Sequence, residues 1–368
     1  MKEGWEYKKL GEVAEIQYGT RVVQKKDGGS IYPVYGGGGA TFKMDSYNRE
    51  NCLVVARFAM SPQCTRLVKG KFFLNDSGLT LRSYNLKTLS QDYLDKCILG
   101  HNNDIYLLSN GMAQKNLDVK AFRNMVIQYP SSIEGQKKIV SELDLLSGVI
   151  EKQKAQLEEL DKLAQSIFYE MFGDPVANNK GWKVLSLGET GELGRGVSKH
   201  RPRNAPELLG GTMPLIQTGD VANAQMYITN YYSTYSDLGV SQSKVWKSGT
   251  LCITIAANIG KCAILSFDAC FPDSVVGFSC REALVNNEYI YFIFQSLQKI
   301  LERDAPAVAQ KNINLAILNS IKIPLPPLSL QQEFAAKIEA IESMKAKVRQ
   351  SLKEAETLFN SRMDYYFN

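Results

Sequence analysis

The sequence is written twice. GWEYKKLGE at Gly4–Glu12 returns as GWKVLSLGE at Gly181–Glu189, identical at glycine, tryptophan, leucine, glycine and glutamate. FLNDS, ending on Asp76 and Ser77, faces CFPDS, ending on Asp273 and Ser274, and AQKNL at Ala113–Leu117 faces AQKNI at Ala309–Ile313. The landmarks keep one order in both halves while the spacing between them changes. One ancestral unit has therefore been duplicated with loop-length changes inside it, and the fold must be a single architecture built twice. A length of 368 residues suits two such units.

Each unit ends in a stretch whose apolar residues alternate at spacings of four and three, the signature of a coiled-coil seam. In the first, Ile139, Leu143, Leu146, Ile150, Gln153, Leu157, Leu160, Ala164, Ile167 and Met171 keep the rhythm. In the second it is Phe334, Ile338, Ile341, Lys345, Val348, Leu352, Ala355, Phe359, Arg362 and Tyr366. Pro130 with Ser131 and Glu134 marks the start of the first helix, and Gly173, Asp174 and Pro175 stop it. Ser329 and Gln332 form a capping box for the second, after Pro324, Pro326 and Pro327. Each helix runs for roughly 37 residues, about 55 Å. Two such seams either serve homodimerisation or pair with each other; tethering in one chain favours the second arrangement. Gln153, with no obvious opposite number, and Lys345 and Arg362, in positions that should be apolar, cost stability but can set register and partner.

The remainder reads as short β-branched runs with glycine turns and a helix near the end of each unit, as in YIYFIFQSLQKIL around Phe292. The expected fold is α+β: two tandem globular domains with curved sheets, each followed by a long helix. The expected boundaries are residues 1–135, helix 136–173, residues 174–328 and helix 329–368. Trp5 and Trp182 are expected core anchors.

Composition narrows the function. With 44% hydrophobic, 22% charged and 10% aromatic residues, the chain belongs with globular proteins and not with disordered or collagenous ones. No apolar run approaches a membrane span, and the opening MKEGWEYKKL lacks the apolar core of a secretory signal, so the expected location is the cytoplasm, without disulfides. Seven cysteines include no C-x-x-C pair, and the two histidines, His101 and His200, are far apart, which argues against a zinc site. The net charge of +5 is too modest to name nucleic acid by itself.

Catalytic patterns are missing. There is no G-x-x-x-x-G-K-[ST] loop. Gly36–Gly39 reads as a flexible turn, because neither a Rossmann pattern nor an acidic residue in register follows it. The nearest approach to an [DN]-P-P-[YF] methyltransferase motif is Asp174-Pro175-Val176, a helix stop. Pro272, Asp273 and Glu282 resemble a magnesium nuclease pattern, but Leu284 stands where its lysine should be. Neither histidine supports a hydrolytic triad. The expectation is a binder with no catalytic residues, metal or cofactor. Two related domains joined by long helices suit double-stranded DNA read at two half-sites.

The duplicated series of landmarks, with a glutamine (Gln136, Gln331) soon after a proline at the start of each helix, resembles the specificity subunit of type I restriction-modification systems over nearly the whole chain. The resemblance implies two target-recognition domains spaced by an antiparallel helix pair, reading an asymmetric bipartite site. It also implies a non-catalytic scaffold, with methyltransferase (modification) subunits and restriction (translocase and nuclease) subunits as partners. A specificity subunit of a fused type II system, or a coiled-coil adaptor that never touches DNA, are the alternatives.

Contact residues are chosen by charge and by position in the repeat. In the second domain Arg195, Lys199, His200, Arg201 and Arg203 form a basic run, with Gln217 one loop away. At the same level of the first domain stand Arg21, Lys25, Lys26 and Tyr35. Arg57 matches the region of Asn258 and Lys261, and Lys69 and Lys71 are candidate phosphate partners. Lys115 and Lys311 recur as well, but helix capping by Asn116 and Asn312 is the simpler expectation there.

Overall fold

The computed structural model describes residues 2–112, 114–256, 259–304 and 314–368. It divides into two units, Met1–Ala155 with Arg349–Asn368, and Gln156–Val348. Each contains one globular domain, the start of the helix that follows it and the end of the other long helix.

The repeated LGE opening has the same physical content in both units. Leu10 and Leu187 are fully buried. Gly11 and Gly188 stand where a Cβ would meet Arg123 O at 3.2 Å and Asn319 Oδ1 at 2.4 Å. Glu12 and Glu189 turn back to accept the amides of Lys9 (3.2 Å) and Ser186 (2.6 Å), satisfying a donor at the start of a one-turn helix. The strand before this turn pairs antiparallel with the strand that leads into the long helix, Trp5–Lys9 with Val126–Pro130 and Lys183–Ser186 with Lys322–Leu325.

In the first unit the main sheet runs in the order Ala14–Tyr18, Gly78–Ser83, Arg49–Ala56, Thr65–Leu74, Tyr32–Tyr35, Ala40–Met44. All neighbours are antiparallel except Tyr32–Tyr35 against Thr65–Leu74. The second unit repeats this order as Gly191–Arg195, Val275–Cys280, Leu251–Thr254 and Cys262–Leu265, then Ala269–Cys270, Leu209–Leu215 and Ser233–Tyr235. The single strand Thr65–Leu74 is represented there by two pieces, with Ser266–Asp268 between them, so one sheet becomes two. The parallel pair survives as Leu215 against Cys270.

A helix packs on each sheet. Ser90 Oγ caps Gln91–Gly100 through the Tyr93 amide, and Asn286 Oδ1 caps Asn287–Asp304 through the Tyr289 amide. Asp95, buried on the first of these, accepts from Gln91 Nε2 at 2.8 Å, and burial pushes its carboxyl up to about 6. Its folded pKa lies above the unfolded value of about 3.9, so its contribution to stability falls as pH rises from about 4 through about 6. Asp95→Asn is expected to stabilise the first unit at pH 8 by on the order of 2 kcal/mol and to give no gain at pH 4. Melting curves at the two pH values test this, and an equal gain at both would contradict it.

The long helices, Ile133–Phe172 and Leu328–Phe367, pair antiparallel. Within the first unit Ile139 and Leu143 are buried, and Leu146, Ile150, Leu352 and Phe359 half-buried. Within the second, Phe334, Ile338 and Ile341 are buried, and Leu157, Leu160 and Val348 half-buried. The polar seam positions all find partners. Gln153 Nε2 donates to Ser351 Oγ at 2.6 Å, which corrects the expectation that it opposes nothing. Lys345 lies between Asp161 and Glu342, both at 2.5 Å. Arg362 and the Tyr366 hydroxyl bind Glu142, and their hydrogen bonds hold its carboxyl below the usual range.

The helix starts differ from expectation in detail. Ser132, not Ser131, caps the first helix by accepting the Gly135 amide at 3.1 Å, while Ser131 Oγ donates to Gly4 O. The second helix starts at Leu328, so Ser329 lies within its first turn and not before it. The real fastening is the repeated glutamine. Gln136, fully buried, accepts the Ser90 amide and donates to the Thr88 and Pro130 carbonyls; Gln331, equally buried, accepts the Asn286 amide and donates to Leu284 O and Pro326 O.

The helix ends are packed as well. Phe168 and Phe172 join Tyr289, Phe292 and Phe334 in the second core, and Phe367 lies against Tyr93 and Gly100 in the first. Gly173, at φ +76, ends the first helix in the left-handed conformation that favours glycine. Trp182 Nε1 then caps the helix by donating to Phe172 O at 2.9 Å, and Trp5 packs at the edge of the first core. Asn116 lies in the strand Asn116–Leu117 and caps no helix; Asp118 caps Val119–Asn124 instead. Lys311 and Asn312 lie outside the described residues.

Candidate nucleic-acid interface

Three segments converge at one place in each domain. Gly19 N donates to Gly78 O and Gly196 N to Val275 O. A Cβ on either glycine would strike the turn beneath it, 1.8 Å from Asn75 O in the first domain and 2.1 Å from Phe271 O in the second. Arg57 N binds Ser77 O and Ile255 N binds Ser274 O. The third segment is tied by Asn75 N to Tyr35 O in the first domain and by Ile216 N to Cys270 O in the second. The DS landmark is thus the floor of a junction from which three loops emerge.

In the second domain the basic run is a fastened loop. Gln242 Oε1 accepts the amides of Lys199 (2.6 Å) and His200 (3.0 Å), and Ser243 Oγ donates to Val197 O. Arg201 Nη1 donates to Ser198 O and His200 O. Arg203 Nη2 reaches both carboxylate oxygens of Asp273, at 2.6 and 2.7 Å. His200 Nε2 stands 3.8 Å from Glu207. Gln217 is the exposed N-cap of the short helix Thr218–Asn223 and shares a cleft with Arg203 and Ser198. Arg195 is exposed at the end of its strand. Lys261 is half-buried, and its carbonyl accepts from Thr254, so its backbone holds the neighbouring turn. Asn258 lies outside the described residues.

In the first domain Arg21, Lys25 and Lys26 are exposed beyond Gly19, the two lysines on the short helix Gln24–Asp27. Arg57 lies over the rings of Phe58 and Tyr18 at 4.4 and 5.0 Å, with Nη1 3.4 Å from Asp76 O. Three other candidates have local roles. Tyr35 packs edge-on against Phe72 in a small core cluster. Lys69 is ion-paired at 3.1 Å with Glu151 on the long helix, and Lys71 lies over Tyr47. The structure therefore gathers Arg57 with Tyr18 and Phe58 in one domain, and Arg201, Arg203 and Gln217 in the other, and leaves Lys69 and Lys71 outside the junction.

Sequence reasoning missed Gln242, which holds the basic loop, and the buttressing role of Asp273. Among the described residues no group of histidines, cysteines and carboxylates could hold a metal ion, and no helix is long and apolar enough to cross a membrane. The cysteines are all unpaired.

The family model for the type I restriction modification DNA specificity domain matches residues 2–162 and 179–356. The chain belongs to this family. Two relatives come from Methanocaldococcus jannaschii: a specificity subunit assigned to the MjaX type I restriction enzyme, 25% identical over 78% of this chain and 70% of its own length, and the MjaVIII specificity subunit, 23% identical over 67% and 63%. The Escherichia coli EcoBI specificity subunit is 22% identical over 69% of this chain and 60% of its own length. Among solved structures, the type I restriction-modification S subunit from M. genitalium shares the fold at a TM-score of 0.65, with 16% identity, covering 99% of this chain and 96% of its own. A chain from a type I system described for complex assembly and conformational transition gives 0.58, with 17% identity and 100% and 98% coverage.

Proposed function

We propose that this chain reads an asymmetric, bipartite DNA site, one half-site per domain, as the non-catalytic specificity subunit of a cytoplasmic complex with methyltransferase and restriction subunits. The observation that carries the reading is the junction built twice on one backbone plan and dressed differently. Arg57, Tyr18 and the glycine loop occupy it in residues 1–135, and Arg203, Asp273 and Gln217 in residues 174–328. Equivalent positions with different donors and acceptors select different base edges, whereas exposed lysines hold phosphates without choosing sequence. Family membership supports the same reading, and the modest +5 charge agrees with partner subunits supplying part of the DNA grip.

Salt dependence tests the phosphate half of this assignment. Lys25→Gln and Lys26→Gln, in the chain assembled with a type I methyltransferase subunit from the same genome, are each expected to lower the slope of log affinity against log salt by about one, leaving the selected sequence intact. Fluorescence anisotropy on a labelled duplex measures it. Unchanged slopes would remove these lysines from the interface.

A further inference from the structure

We infer that Arg57 is a base-reading residue of the first domain and that the base it selects is guanine, taken by the Nε and Nη2 side of its guanidinium. The inference rests on the proposal that this domain binds duplex DNA. Arg57 is anchored on both sides of its backbone: its amide donates to Ser77 O at 2.8 Å, and its carbonyl accepts the Leu117 amide at 2.9 Å. The residues that follow are tied down as well, the Ala59 amide by Asn116 Oδ1 and the Met60 amide by Lys115 O. The side chain therefore leaves a rigid platform at the junction, which is the condition for placing a binding group accurately.

The guanidinium is oriented and left open on one side. It lies over the rings of Phe58 and Tyr18, contacts that hold a flat cation in place. Nη1 is 3.4 Å from Asp76 O. Nε and Nη2 have no partner among the described residues, and neither is one of the buried orphan groups, so both reach solvent. Their N–H groups point the same way and form one of the two bidentate faces of the fork. In the second domain the corresponding arrangement is closed, because Asp273 takes Nη2 of Arg203, the nitrogen that both faces share.

The approach to Arg57 is low on its neighbouring side. Gly37 lies against the backbone of Phe58, where a Cβ would meet Phe58 O at 2.7 Å, and Gly38 and Gly39 beyond it are exposed. A turn without side chains lets a base-pair edge come close. Two parallel donors fit two acceptors in one plane. In the major groove guanine offers O6 and N7 side by side; adenine sets a donor beside its N7, cytosine presents a donor, and thymine a single acceptor. A phosphate also accepts a fork. The carboxylate of Asp76, however, the residue whose carbonyl meets Nη1, has no ion-pair partner among the described residues, and its charge disfavours an anion nearby. The uncharged guanine edge escapes that repulsion.

The test is selection from a randomised duplex library by the full chain in complex with type I methyltransferase subunits, followed by sequencing of the bound fraction. The wild type should enrich a guanine at one fixed place in one half-site. Arg57→Lys keeps the charge and loses the fork; it should cut discrimination at that base between about fivefold and a hundredfold while other positions hold. Tyr18→Leu removes one of the rings that orient the guanidinium and should give a smaller loss at the same base, which Tyr18→Phe restores. Tyr18 is 44% exposed, so this pair keeps the test open if Arg57→Lys lowers the melting temperature. An unchanged motif in Arg57→Lys and Tyr18→Leu would overturn the reader and leave DNA binding intact. So would a uniform loss of binding with the motif unaltered, which marks a phosphate contact. Discrimination lost at a base other than guanine, or in the half-site that Arg203→Gln also alters, would likewise overturn the assignment. No enrichment by the wild type would remove the DNA-reading proposal itself, and this inference with it.

Discussion

Phe168→Ala is expected to destabilise the Gln156–Val348 unit by about 3–5 kcal/mol, a large part of the roughly 5–15 kcal/mol that holds an ordinary domain folded. Phe168 is 1% exposed, and its ring lies 5.3 Å from Phe172, 5.6 Å from Phe292, 5.7 Å from Phe334 and 5.8 Å from Tyr289. These neighbours come from the end of the first long helix, the domain helix and the start of the second long helix, so no single element can move to fill the void. Phe168→Leu, which retains most of the volume, should cost less than half as much. Guanidinium unfolding curves give the ranking, and equal stability of the two variants would show that the cluster is not a packed core.

Removing the repeated glutamine is the second large effect. Gln136→Leu strands the Ser90 amide and the Thr88 and Pro130 carbonyls; Gln331→Leu strands the Asn286 amide and the Leu284 and Pro326 carbonyls. Leaving buried backbone groups unsatisfied costs about 1–3 kcal/mol each when water cannot reach them, so a loss of about 2–4 kcal/mol is expected for each variant after relaxation. The damage should be local in kind, because each side chain ties the start of a long helix to its own domain. Hydrogen exchange should therefore accelerate at Ser90 in one variant and at Asn286 in the other. Fast exchange spread evenly over the whole unit, with no excess at that amide, would contradict the clamp.

Much of the scaffold was readable because it is local or periodic. The LGE turns, the glycine at the end of the first helix and the spacing of Ile139, Leu143, Phe334 and Ile338 all depend on residues within a few positions of one another. The two glutamines also stood out in the repeat, although their role needed the domain helix opposite. The strand order was not readable, since pairs such as Val34 with Phe73 and Leu215 with Cys270 join distant segments and leave no periodic mark. Capping was misjudged by one residue at Ser131, where two adjacent serines offer the same chemistry. The basic residues proposed for the site could be picked from the sequence by charge, but the side chains that buttress them could not. Arg203 depends on Asp273, seventy residues away, and Lys199 and His200 are held by Gln242. Nothing in the sequence around Lys69 marks its ion pair with Glu151, 82 residues away.

The most direct test of the central claim is the methylation map written in cells by the chain and a type I methyltransferase subunit from the same genome, recorded by long-read sequencing. The expected result is one split motif with a nonspecific spacer. Replacing Arg57 together with Arg21 should alter only one half of it, and replacing Arg201 together with Arg203 only the other. A motif in which both replacements change the same bases, or a wild-type map with no split motif while the two proteins purify together, would contradict two separate reading heads.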